Sequence, residues 1–241
     1  MYFPMASPRC SLLTRLVRLG VCWAFLTAVI DLMADPIRIG VIGLDTSHAE
    51  QFTMRLNDPA NPNHVQGGRV VVAYPVGSPD LSESVSRLPG FTATLKDKYG
   101  VLMVDSIAEL CAKVDAVMIL SLDGRPHLEQ AKEVMAFGKP LFVDKPVAAT
   151  LKDIVELYVL AEKLGVPVMS SSALRWYQGV VEVAAAKSSL PQAAISWGPA
   201  PALPHHPDLF FYAIHATEAL FTVLGPGCEH VTRTTTPAES V

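Results

Sequence analysis

"IRIGVIGLDTSHAEQF", residues 37–52, passes from an apolar run into a polar, helix-like segment. Its first seven residues form an apolar run of strand length that ends in Gly43. A helical pattern follows over 47–57, with Ser47 as its cap and Glu50, three residues on, completing a capping box. A buried strand that passes through a glycine into a helix is where a dinucleotide-binding fold carries its phosphate loop. The glycines of G-x-G-x-x-G let backbone approach the diphosphate and let helix pack close to strand. Here the series reads Gly43, Leu44, Asp45, Thr46, Ser47, His48, so only the first glycine is kept. Asp45 adds a carboxylate at the helix N-terminus, where free N–H groups and the positive end of the dipole would otherwise hold an anion.

The same alternation continues along the chain. Strands are expected at 69–74, 101–104, 115–121, 140–144 and 166–171. Helices are expected near 91–99, at 106–113 with Ser106 as cap, at 127–138 ending on Gly138, and at 151–165 capped by Thr150. In the last of these, Ile154, Leu157, Tyr158, Ala161 and Leu164 form an apolar stripe. This order means an α/β fold with a doubly wound parallel sheet of Rossmann type over residues 35–171. Its ligands belong at the carboxyl ends of the strands, which here are 43–48, 74–78, 121–127 and 144–147. Residues 172–241 read as an incomplete second α/β domain: a helix at 175–189, a strand at 192–198, a proline-rich loop and a helix at 209–225. Either the gene product is truncated or a partner supplies the rest of that sheet.

Residues 1–34 stand apart. Arg9, Arg15 and Arg18 precede the uncharged run 19–30, and Ala34 offers a small residue before a cleavage, the pattern of a secretory signal. The run is short for a membrane span, so none is expected in the mature chain. "LGVC" before Cys22 matches a lipid-attachment site only in part, and translation starting near Met33 is the alternative. The protein is exported to the periplasm if this signal acts, and cytoplasmic otherwise. The net charge of −4 is mild and argues against nucleic acid. Cys10, Cys22, Cys111 and Cys228 show no metal spacing and read as free thiols.

"IRIGVIGLDTSH", then "HLEQAKEVMAFGKPLFVDKPVA", then a His on a late helix followed by "VLG", resembles the Gfo/Idh/MocA oxidoreductases, relatives of glucose–fructose oxidoreductase and inositol dehydrogenase. The resemblance covers about residues 36–230, and "GKPLFVDKP" (138–146) is similar to the family signature G-K-x-V-x-x-E-K-P. It implies an N-terminal Rossmann domain for NAD or NADP, a C-terminal α/β substrate domain, and oxidation of a sugar or polyol hydroxyl. The expected partner is thus a sugar-like small molecule, with a homo-oligomer possible.

Lys145 ends a strand between Asp144 and Pro146, where it would donate a hydrogen bond to a substrate hydroxyl. The resemblance assigns it that work, with the following X–Pro bond often cis. Asp144 stands where the family has Glu. The alternative is a solvated surface lysine. His215 lies within an apolar helix and, on its residues alone, reads as a core histidine. The resemblance instead makes it the residue that takes the hydroxyl proton, with Glu218 matching the acidic position three residues on and orienting it. Phe211 occupies the place of a second acid; Asp208 either replaces that acid or caps the helix, and His205 and His206 would face the same cleft.

The resemblance also lays "SLDGRPH" (121–127) along the cofactor. Ser121, Pro126 and Lys145 thereby join Gly43, Asp45, Thr46, Ser47 and His48 as candidate cofactor contacts. Arg125 clamps an anion or pairs with Asp123, and His127 caps its helix. The second strand ends in Tyr74, Pro75 and Val76, with no acid for a ribose. Two readings stay open: an NAD(P)-dependent oxidoreductase, or a non-catalytic ligand-binding or scaffold protein that keeps the fold without a dinucleotide. A decayed gene product is a third.

Overall fold

Six short apolar runs form one parallel sheet in a computed structural model that describes residues 35–186, 191–201, 206 and 209–234. The signal-like segment, His205 and Asp208 lie outside the described residues. The strands are β1 (Ile37–Ile42), β2 (Gly68–Tyr74), β3 (Leu102–Met103), β4 (Ala116–Ile119), β5 (Leu141–Val143) and β6 (Val168–Ser170). They lie in the order β3-β2-β1-β4-β5-β6, the doubly wound arrangement expected. Order reverses between β1 and β4, which pair directly through Ile39–Ile42 and Ala116–Ile119. That reversal opens a crevice at the carboxyl ends of the strands.

Each face of the sheet is covered because the strands are apolar on both sides. On one face Ile42, Val117, Ile119 and Val143 pack with Leu110, Leu128, Val134 and Leu157 from helices α3 (Ile107–Cys111), α4 (His127–Ala136) and α5 (Leu151–Leu164). On the other, Ile39, Val41, Val70 and Ala73 pack with Leu44, Ala49 and Leu95, on and around α1 (Ser47–Asn57) and the π-helical turn Thr94–Lys98 that continues α2 (Ser82–Ala93). Each fully buried Leu or Ile contributes about 1.5–3 kcal/mol, so the two clusters hold the sheet rigid beneath the crevice.

Several expectations change in detail. The cap of α1 is Thr46, whose hydroxyl accepts from the His48 N–H at 3.4 Å, and Ser47 is the first helical residue. The helix expected near 91–99 begins at Ser82 and carries Pro89 in its interior. In α5 only Leu157 and Ala161 of the stripe are buried, while Tyr158 and Leu164 are exposed. Beyond β6 come a 3₁₀ turn (Ala173–Trp176), α6 (Gln178–Ala185) and α7 (Ile214–Leu224). The strand expected at 192–198 is absent: Ile195 and Trp197 stand 88% and 86% exposed, with no neighbouring strand to pair among the described residues. Among the described residues no helix is long and apolar enough to cross a membrane.

Candidate active site

The loop after β1 is built on Gly43. Its φ is +83°, and a Cβ there would come within 2.4 Å of the Ser121 backbone nitrogen. A glycine is therefore required both for the turn and for its approach to the β4 end. Asp45 is fully buried, and its Oδ1 accepts from the Leu122 N–H at 2.9 Å. Its carboxylate is turned down between the loops after β1, β2 and β4, and is not displayed at the helix mouth. Its Oδ2 has no partner among the described residues and lies against Gly77, where a Cβ would meet it at 3.2 Å. Ser47 is exposed at the helix start, and Thr46 is buried beneath it.

Between the ends of β2 and β4 lies a cavity of about 410 Å³, lined by Val76, Ser78, Asp80, Asp123, Arg125 and Gln130, with Ser121 and Pro126 also on its wall. Arg125 pairs with Asp123, as one of its two readings holds, but the pair is not a surface feature: Asp123 is 1% exposed. Arg125 also forks onto Asp80, with two bonds of 2.8 Å. Burial would raise the Asp123 carboxyl, but Arg125 and the Ser78 hydroxyl outweigh it and hold it at about 2. His206 packs its buried ring 3.0 Å from Asp123. His127 does more than cap α4. It is fully buried, with Nδ1 2.8 Å from the Pro146 carbonyl and Nε2 2.9 Å from the Ser121 carbonyl, so it ties the β4 and β5 loops together.

The end of β5 carries Asp144, Lys145 and Pro146, and the Lys145–Pro146 bond is cis. Lys145 is not a surface lysine, being 8% exposed. Its Nζ sits 4.6 Å from the Tyr212 ring centroid and 5.8 Å from that of Phe211. Burial lowers its pKa, against the pull of Asp144. His215 stacks edge-on against the same Tyr212 ring, with centroids 4.7 Å apart. Burial, and after it the positive charge of Lys145, lowers the His215 pKa, so the ring is neutral near pH 7.

Glu218 makes no hydrogen bond to His215. It accepts from the Ser172 N–H at 2.7 Å, and it is the Ser172 hydroxyl that meets His215 Nδ1, at 2.6 Å. The orienting contact expected of Glu218 thus passes through Ser172. Phe211, where an acid is expected, is buried against Lys145 and His206. His48 bonds through Nδ1 to Asp144, whose other oxygen accepts from the Lys145 N–H.

Ser172, Tyr212 and the His48–Asp144 pair escape a reading of the sequence. The only signal was that His48 and Asp144 both depart from the resembled pattern. A dinucleotide fits this frame on three counts: Gly43 leaves the loop free of a Cβ, the α1 N-terminus is open at Ser47, and the cavity beyond β2 has room for a nucleoside. The buried charge of Asp45 weighs against it.

The sequence profile described as "Oxidoreductase family, NAD-binding Rossmann fold" (Gfo/Idh/MocA) matches residues 37–172. No curated protein matches the chain. Among solved structures, a dehydrogenase (MviM) from Clostridium difficile is 25% identical, with 61% of this chain and 43% of that one covered and a TM-score of 0.45. Scyllo-inositol dehydrogenase from Lactobacillus casei, with bound NAD(H) and scyllo-inositol, is 19% identical, covering 62% and 40%, with a TM-score of 0.50. An NAD-binding protein from Listeria innocua is 17% identical, covering 79% and 56%, with a TM-score of 0.56. The last two share the fold. The chain spans less than two thirds of the length of each.

Proposed function

The chain belongs to the Gfo/Idh/MocA oxidoreductase family with the NAD-binding Rossmann fold, and from that premise we propose that it oxidises a hydroxyl of a sugar or polyol with NAD or NADP. The observation that carries this is the meeting of Lys145 and His215 on the same Tyr212 ring, at the carboxyl end of β5. In this reading Gly43, Thr46, Ser47, Ser121 and Pro126 border the dinucleotide, and residues from 172 onward begin a substrate domain.

Bound nicotinamide would supply the hydride acceptor. Everything else falls to this chain's own groups. Lys145 donates a hydrogen bond to the substrate oxygen, and its lowered pKa makes the ammonium a stronger donor to it. His215 holds the same hydroxyl, kept in place through Nδ1 by Ser172, which Glu218 fixes in turn. The hydroxyl proton leaves to an imidazole of the cluster. Tyr212 and Phe211 wall the site against water.

The test is a thermal shift with NAD⁺ and NADP⁺, then oxidation of a panel of cyclic polyols that includes scyllo-inositol. Cofactor at about 100 times its Kd stabilises the native state by about 2.7 kcal/mol, a readily measured rise in Tm. Lys145→Ala should lower kcat by at least ~100-fold without lowering Tm. No shift with either cofactor at millimolar concentration would leave the non-catalytic reading in its place.

A further inference from the structure

We infer that His48, held by Asp144, is the imidazole that takes the substrate proton. This rests on the oxidoreductase reading and sharpens it, since it moves His48 from the cofactor's contacts to the reacting ones. Two departures from the family's pattern prove to be a single feature. A His stands where the phosphate loop has its third glycine, and an Asp replaces the Glu before Lys145. These two residues, 96 positions apart, bond to one another. Asp is one methylene shorter than Glu, and the imidazole takes up the length that is missing.

The geometry separates the two imidazoles of the cleft. His48 offers Nδ1 to a carboxylate that is itself fixed by the Lys145 N–H, in a loop set by His127. Its ring leans on Phe52, and its side chain is 27% exposed. Its Nε2 has no protein partner among the described residues. An imidazole that donates Nδ1–H to a carboxylate presents a bare Nε2, and the charge it gains on taking a proton is met by that carboxylate. His215 has the opposite setting. Its Nδ1 partner is a hydroxyl, Phe211 occupies the place of an acid, Glu218 is spent on Ser172, and Lys145 opposes a second positive charge. His215 therefore holds the hydroxyl, and His48 accepts its proton.

The step balances. The substrate O–H bond breaks and its proton goes to His48 Nε2. The C–H bond breaks and its electron pair leaves as hydride to oxidised nicotinamide. The carbonyl forms, and His48 later gives its proton to water.

Two measurements on the full chain test this. Long-range ¹H–¹⁵N NMR of the imidazoles needs no substrate: His48 should be the Nδ1–H tautomer with a bare Nε2, and Asp144→Asn should remove that preference. His48 carrying its proton on Nε2 would overturn the proposal. In the second, His48→Gln should lower kcat with NAD⁺ and a cyclic polyol that the wild type oxidises by about 100-fold or more, while NAD⁺ affinity stays within about threefold. A weakened affinity with kcat unchanged would make His48 a cofactor contact and overturn the inference. If the wild type oxidises no polyol, the oxidoreductase reading fails by itself, and the tautomer still decides whether His48 is set up as a base.

Discussion

Asp45 shows how far one residue's setting can differ from its position in a motif. Read in sequence, its carboxylate competes with a diphosphate at the helix N-terminus. In the fold it faces inward and bonds the Leu122 N–H, so it also ties the β1 and β4 loops together. Charge and tie can be separated. Asn keeps the acceptor for Leu122 and removes the charge. A carboxylate near the phosphate loop opposes an incoming diphosphate by like-charge repulsion, which is screened less inside the protein than in water. Asp45→Asn should therefore tighten NAD⁺ by about tenfold in calorimetry with Tm retained; weaker binding would mean the carboxylate itself recognises the ligand. Gly43 permits no such exchange. Gly43→Ala meets both the +83° φ and the Ser121 backbone, and should cost at least about 2 kcal/mol of stability in urea melts. A cost under ~0.5 kcal/mol would show that the β4 loop yields.

At the scale of elements, legibility followed the locality of the signal. Ser106 and Thr150 were readable as caps, and both accept from the N–H three residues on, at 3.1 Å. All six strands were legible because each is an apolar run bounded by turn residues. Helix α2 starts well before the helix expected near 91–99 and runs through Pro89 and Gly90, residues that ordinarily interrupt a helix. Pro89 is exposed, and the helix continues through it without the N–H that the Val85 carbonyl would take. Gly90 has no left-handed φ, and a Cβ added to it would find nothing within 4 Å. Gly90→Ala should thus stabilise the protein by about 0.5–1 kcal/mol and raise Tm by a few degrees. A fall in Tm would show that the turn into the π-helical segment needs glycine.

At the scale of the whole molecule, the site is a product of long-range pairing, and that is why only part of it could be read. Lys145 and His215 were visible through resemblance. His48 with Asp144, and Ser172 with His215, are bonds across 96 and 43 residues that no local pattern encodes. The same assembly fixes how the fold responds to acid. Burial lowers the pKa of His127, which joins the β4 and β5 loops, and of His215. Both sit below the unfolded histidine value near 6.5. Above that value native and unfolded chains bind the same protons at these sites; below it the unfolded chain binds more, so stability falls with pH. Asp123 adds a second loss further down, between an unfolded value of 3.8 and a folded one of about 2. Tm should decline from pH 6.5 downward, and decline again below pH 4. His127→Gln should lower Tm at pH 7.5 and flatten the first decline, since the residue that resists protonation is gone. A Tm that holds or rises between pH 7 and 5 in the wild type would instead mean that the carbonyls of Ser121 and Pro146 keep His127 doubly protonated, as a buried cation joining the two loops.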